Sequence, residues 1–215
     1  MNLRGLVARA AAGYPFAKLT SKLKEHHVDV VAPLGSHPFV VASIVHSRIA
    51  KKAAPSHLVV VATGREAEEL RDALRVLEPD AQLLEFPSWE TLPHERLSPS
   101  PETVGRRLAT LNALREHTSQ GHKNPVIVIA SIRAALQPLV AGLDQREPLL
   151  LAKGRDYLLP ELALKLVELA YVRVDMVTKR GEFALRGGIL DVFPTTADHA
   201  VRLEFWGDQL EDLRE

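Results

Sequence analysis

The sequence predicts an α/β protein: a mostly parallel sheet flanked by helices, with a degenerate P-loop, followed by a smaller α+β domain with an antiparallel sheet. Three observations carry that reading. Strand-like and helix-like segments alternate over the first two-thirds of the chain, the signature of a parallel sheet covered by helices. The composition changes after about Leu143, where Pro148, Gly154 and Pro160 punctuate the chain. Beyond Val172, short period-2 segments are separated by Gly and Pro, as in antiparallel hairpins.

Taken in order, the first predicted strand covers residues 28–32, an apolar run closed by Pro33 and Gly35. A helix follows over 38–50, where Phe39, Val40, Ile44, Val45 and Ile49 recur at near-helical spacing. The run 58–62 is rich in valine and reads as a buried strand, ended by Gly64. Thr63 is placed to cap the next helix. Glu66, Glu68 and Glu69 fill its first turns, where the positive helix end favours carboxylates. Leu70, Leu74 and Leu77 form its buried stripe, and Pro79 stops it. A third strand is expected at 82–86 and a fourth at 126–130, with a helix across 102–117 between them. In the second part a helix over 161–170 precedes strands at 172–177, 182–186, 188–193 and 200–206, with a candidate partner at 209–214. Turns at Gly187-Gly188 and Gly207-Asp208 make hairpins of these. The expected domains are residues 1–143 and 144–215. The chain ends just past a strand with no capping element and reads as a piece of something longer.

Composition narrows the function. The 215 residues carry Lys+Arg 27 and Asp+Glu 27, so the formal net charge is zero. A chain that grips nucleic acid by bulk charge is basic, and any DNA contact here has to be local, for instance at Arg106-Arg107 or Lys51-Lys52. With 46% hydrophobic and 25% charged residues the chain is of globular type rather than disordered. Cys is absent, which removes disulfides and thiolate chemistry and fits a reducing cytoplasm. No apolar run reaches membrane-span length, and residues 1–12 lack the apolar core of a signal peptide.

The turn after the first predicted strand is where a nucleotide-binding α/β protein places its phosphate loop. Here it reads Ala32-Pro-Leu-Gly35-Ser36-His37-Pro38-Phe39. A working P-loop needs G-x-x-x-x-G-K-[ST], with amides for the phosphates, a Lys for the β/γ oxygens and a hydroxyl for magnesium. One Gly survives, no Lys follows, and Pro38 removes an amide. Gly35, Ser36 and His37 are therefore read as a vestigial phosphate loop, the alternative being that Gly35 only turns the chain. The nine histidines give no metal site: His26 and His27 diverge on a helix, and His117 and His122 fall in an expected loop without carboxylate partners. No catalytic residue and no metal ligand is assigned.

The loop from Phe86 to Pro99 concentrates Pro, Trp and charge, as functional loops and core-plugging loops both do. The last strands are more informative. Alternation puts Val201, Leu203 and Phe205 on one face and Arg202, Glu204 and Trp206 on the other. Arg186 falls on the polar side of its strand, and Arg173 on that of the strand before it. One sheet face is thus expected to display Arg173, Arg186, Arg202 and Trp206 together. Arg and Trp dominate protein–protein hot spots, and a guanidinium can pair bidentately with a partner carboxylate. The alternative is a solvated face with an Arg–Glu ladder and Trp206 tucked beneath a helix.

Two stretches carry a resemblance. Phe86-Pro-Ser-Trp-Glu-Thr-Leu-Pro-His-Glu with Thr103-Val-Gly-Arg-Arg-Leu, and Arg180-Gly-Glu-Phe-Ala-Leu-Arg-Gly-Gly-Ile-Leu-Asp-Val-Phe-Pro with Val201-Arg-Leu-Glu-Phe-Trp-Gly-Asp, resemble the N-terminal module of the bacterial transcription-repair coupling factors (Mfd). That module is similar to domains 1a and 2 of the excision-repair protein UvrB. The resemblance implies a domain-1a-like part with a vestigial nucleotide site over 1–143 and a domain-2-like, UvrA-binding part over 144–215. It implies a non-catalytic adaptor that recruits UvrA in transcription-coupled excision repair by mimicking UvrB. ATP, magnesium, RNA polymerase and DNA would engage only domains absent from this chain, which is expected to be monomeric and cytoplasmic. By motif, Arg186, Arg202 and Trp206 take the family's UvrA-facing positions, and Arg173 matches a UvrA-contacting arginine of UvrB. Trp206 replaces a more usual Phe, and Ala184 replaces an arginine that UvrB uses. No room exists between Phe86 and Glu102 for the hairpin with which UvrB probes damaged DNA. A helicase-type enzyme fragment with a functional ATP site is the competing reading.

Overall fold

The computed structural model describes residues 3–25, 27–49, 56–92, 95, 98–120, 124–139, 142 and 149–215. The expected boundary at 143/144 lies outside them, as do His26, Lys51, Lys52, Pro93, His94, Arg96, Leu97 and His122. Two compact units emerge: Met1–Trp89 with Thr110–Leu139, and Glu90–Ala109 with Val140–Glu215.

The first unit holds helices α1 (Arg4–Ala12), α2 (Tyr14–Lys22) and α3 (His37–Ile49), strand β1 (Ser56–Val61), helix α4 (Gly64–Leu77) and strand β2 (Gln82–Phe86). It continues with the part of α5 (Pro101–Gln120) from Thr110 onward, strand β3 (Val126–Ser131) and the short helix α6 (Ile132–Leu136). The sheet has the order β1-β3-β2 and both pairings are parallel. The centre strand β3 is buried along its whole length, which explains its unbroken Val-Ile-Val-Ile-Ala run. Ile127 and Ile129 meet Leu70, Leu74 and Leu77 of α4 with Val7, Ala42 and Val45, so the leucine stripe of α4 faces the core.

The strand expected at 28–32 does not form. Its residues enter no ladder among the described residues, and Val31 is 103% exposed. A short β-branched run has the same local signature whether or not a neighbour is there to pair with it. Thr63 does cap α4: its hydroxyl accepts from the Glu66 amide at 3.2 Å, while the Glu66 carboxylate accepts from the Ala62 amide at 3.3 Å. This reciprocal clip satisfies two donors at the helix start. Replacing Thr63 by Ala is expected to cost about 1 kcal/mol, read as a lower urea midpoint for the first unit with an unchanged denaturant slope.

The second unit contains α5 up to Ala109, helix α7 (Leu159–Glu168) and strands β4 (Val172–Arg173), β5 (Glu182–Arg186), β6 (Ile189–Val192), β7 (Val201–Trp206) and β8 (Gln209–Arg214). Their sheet order follows the chain, β4-β5-β6-β7-β8. β4 is parallel to β5 and shorter than expected, while the remaining pairs are antiparallel hairpin neighbours. The expected antiparallel sheet is therefore a mixed one with a parallel edge strand. Gly187 and Gly207 have φ of 58° and 64° at the first position of their two-residue turns, as type II′ hairpins require. Phe183, Leu190, Val192, Leu203, Phe205 and Leu210 form the core with Leu162 and Leu166 of α7.

Glu90, from the Trp-containing loop, is held at the start of α5. Its carboxylate accepts from the hydroxyls of Ser100 (2.5 Å) and Thr103. Partial burial opposes its ionisation, but these hydrogen bonds outweigh that and keep its pKa below the usual carboxylate value.

Candidate partner-binding site

Alternation in β7 places Leu203 and Phe205 inside and Arg202, Glu204 and Trp206 on the outer face. The two-residue turns set the registers of the flanking hairpins. One outer row runs Arg186, Ile189, Glu204, Asp212 across β5 to β8, and the next runs Ala184, Asp191, Arg202, Arg214. Trp206 stands opposite Gln209 at the end of the same face and is 82% exposed. The alternative in which it is tucked beneath a helix does not hold in this structure. Arg186 and Arg202 lie two strands apart, about 10 Å across the sheet. Glu204 sits between Arg202 and Trp206 along β7 and shares its cross-strand row with Arg186.

Arg173 does not join this group. Its cross-strand partner on β5 is Phe183, a core-face residue, whereas Arg186 is on the opposite face. The parallel pairing of the edge strand sets this register; alternation within β4 alone could not. Arg173 is exposed, but by register it belongs to the other side of the sheet.

The outer face is a lattice of ion pairs. Arg202 Nε and Nη2 donate to Asp191 Oδ1 and Oδ2 at 2.6 and 2.8 Å, a bidentate side-on pair. Arg214 pairs with Glu204, and Lys153 Nζ lies 3.1 Å from Asp212 Oδ1. Arg186 Nη2 donates to the carbonyl of Asp175, just past β4. The hydrogen bonds from Arg202, together with the charges of Arg202 and Arg186, outweigh partial burial and hold the Asp191 carboxyl below the ordinary aspartate range. Because the native state then binds fewer protons than the unfolded chain, this contribution is complete above the range where a free aspartate titrates. It is lost as pH falls through the lowered Asp191 value. Urea unfolding followed against pH is expected to show a shallower acid decline in Asp191→Asn than in the parent chain.

Alternation had already placed Glu204 on this face, whereas Asp191 and Arg214 are members of it that the sequence reading did not name. Their signal was present in the turn lengths: a two-residue hairpin at Gly187-Gly188 puts Asp191 opposite Ala184. The bulge at Glu211, which falls between two registers of β7 and β8, was not readable in the same way.

The segment read as a vestigial phosphate loop is a tight turn, Leu34–Ser36, leading into α3 at His37, and no strand precedes it among the described residues. The amides of Ser36 and His37 donate to the carbonyls of Pro33 and Leu34, the Ser36 hydroxyl donates to Pro33 at 2.7 Å, and Pro38 has no amide. These two amides and the hydroxyl are engaged within the turn rather than held open for a phosphate. His117, expected on a loop, lies buried in α5. Arg107 is fully buried, which removes it as a DNA contact. Among the described residues no group of three or more His, Asp and Glu could hold a metal ion, and no helix is long and apolar enough to cross a membrane.

The outer face of the five-stranded sheet sets Arg186, Arg202 and Trp206 among paired charges. Residues 149–215 match the UvrB interaction domain family, which covers the entire five-stranded sheet. The chain belongs to the bacterial transcription-repair coupling factors. It is 43% identical over 216 residues to the transcription-repair-coupling factor of Mycobacterium bovis, covering 99% of this chain and 17% of that protein. It is 33% identical over 151 residues to that of Bacillus subtilis, covering 69% of this chain and 12% of the relative. With the Escherichia coli protein the identity is 29% over 154 residues, again 69% of this chain. The chain thus spans about a sixth of the Mycobacterium bovis relative.

Proposed function

We propose that this chain is a non-catalytic adaptor module of a transcription-repair coupling factor, which recruits UvrA through the outer face of β5–β8 by presenting what UvrB presents. The observation that carries the reading is Trp206: a large aromatic side chain, 82% exposed, at the end of a strand that also displays Arg202. Leaving an indole in water is unfavourable unless a partner covers it, and an aromatic anchor beside arginines is the composition of an interface hot spot. The family match over the same strands supports UvrA as that partner. Arg186, Arg202 and Trp206 form the proposed contact. Arg173 is a peripheral member at most, because its register sets it on the other side.

On this reading the part up to about residue 143 is a domain-1a-like support and the remainder is the docking domain. Translocation on DNA, ATP hydrolysis and contact with RNA polymerase belong to the longer relatives' other regions. The spent amides of the Ser36 turn and the missing Lys argue that the chain itself needs no ATP or magnesium. Mixing the chain with purified UvrA in a calorimeter tests the proposal: saturable binding is expected, and no heat at micromolar concentrations would count against it. A parallel titration with ATP and magnesium separates the helicase-type alternative, which requires measurable nucleotide binding.

A further inference from the structure

We infer that Asp191 is a positioning residue of this surface: it fixes Arg202 in one orientation and so leaves a single defined edge of the guanidinium for a planar acidic group on the partner. The inference rests on the docking reading above and deepens it.

A guanidinium carries five N–H donors in a rigid fork. Asp191 takes two of them, from Nε at 2.6 Å and Nη2 at 2.8 Å. Of the three that remain, one on Nη1 and one on Nη2 form the end-on edge, which is itself bidentate and matched to a carboxylate. The neighbours enforce this arrangement. On β5, Asp191 faces Ala184, which is 4% exposed and has no side-chain donor. The side-chain hydrogen bonds of the carboxylate therefore come from Arg202 on β7, while Arg186 acts on it through its charge. Across β8, the residue opposite Arg202 is Arg214, which is committed to Glu204. No second carboxylate stands opposite Arg202 on that side. With alanine at position 184, the cation adjacent to Asp191 in its row is Arg202.

An exposed arginine loses rotamer freedom when a partner grips it, and one already held loses less. Asp191 also adds a negative charge near an acidic partner, which acts in the opposite direction. The two effects differ in sign, so removing the carboxylate separates them. Positioning predicts weaker binding without Asp191; mere competition predicts tighter binding.

The test measures the affinity of the 215-residue chain for purified UvrA in the parent and in Asp191→Ala, Asp191→Glu, Arg202→Ala and the Asp191→Ala/Arg202→Ala pair, each checked by thermal melting. Asp191→Ala is expected to bind about fivefold more weakly, Asp191→Glu to recover part of the loss, and Asp191→Ala to add nothing once Arg202 is gone. Unchanged or tighter binding by Asp191→Ala overturns the inference, and so does a loss that persists in the Arg202→Ala background, which would mark a structural role. Should Arg202→Ala bind as the parent does, the docking reading itself fails. If Asp191→Ala does not fold, Arg202→Lys carries the test: it keeps the ion pair but not the fork, and must lose affinity, with unchanged binding overturning the inference.

Discussion

Replacing Arg186 by Glu is expected to weaken binding to purified UvrA by about thirtyfold or more, while the far-ultraviolet spectrum and the urea midpoint stay close to those of the parent chain. Arg186 ends β5 at an exposed position, and its side chain donates to the carbonyl of Asp175. Reversing its charge therefore disturbs little in the fold. At the interface it replaces a fork that can grip a carboxylate with a group that repels one. Arg202→Glu should lose as much affinity, but it also sets a carboxylate against Asp191 and Glu204, so its folding has to be verified by melting. Trp206→Ala is the complementary case: the indole is out in the solvent, and removing it should cost affinity with almost no loss of stability. Unchanged affinity in both Arg186→Glu and Trp206→Ala would end the proposal that this face is the docking surface.

The largest expected effect on stability comes from Gly105→Ala. In an isolated helix this change would help, because Ala is the better helix former. Here a Cβ at position 105 would lie 2.5 Å from Thr195 Cβ and 2.7 Å from the Thr195 carbonyl oxygen. A backbone atom cannot swing aside as a side-chain tip can, so either α5 or the segment after β6 has to move. Overpacking of this kind costs about 2–3 kcal/mol, which outweighs the gain in helix propensity. The second unit should unfold at a lower urea concentration. Gly35→Ala is the internal control: nothing lies within 4 Å of the added methyl, and stability should barely change. Equal midpoints for Gly105→Ala and the parent would show that the α5 start does not pack on Thr195 as described.

Gly105 also shows how far sequence reading reaches. The run Thr103-Val-Gly-Arg-Arg-Leu was recognisable as a motif, yet nothing in it says that its glycine admits a neighbouring backbone or that its second arginine is buried. Both facts depend on what lies against α5. Similarly, Arg180 belonged to the recognised stretch, but only the fold shows it 3.6 Å from Glu102 and stacked 5.1 Å from the Phe193 ring centre.

What the sequence determined by itself was everything governed by local period and local chemistry. The positions of the valine-rich strands, the Thr63 cap and leucine stripe of α4, the glycine hairpins and the split of β7 into an aliphatic and a polar face follow from spacings of two, three or four residues. The burial expected of residues 58–62 does not, because β1 is an edge strand with Leu58 and Val60 exposed. The tertiary structure decided whatever requires a partner distant in sequence. It denied residues 28–32 a ladder and turned Arg173 to the opposite side through a parallel pairing. It also locked Arg202 onto Asp191, because hydrogen-bonded neighbours and cross-strand rows are properties of two segments at once, and no single segment records which other one it will meet.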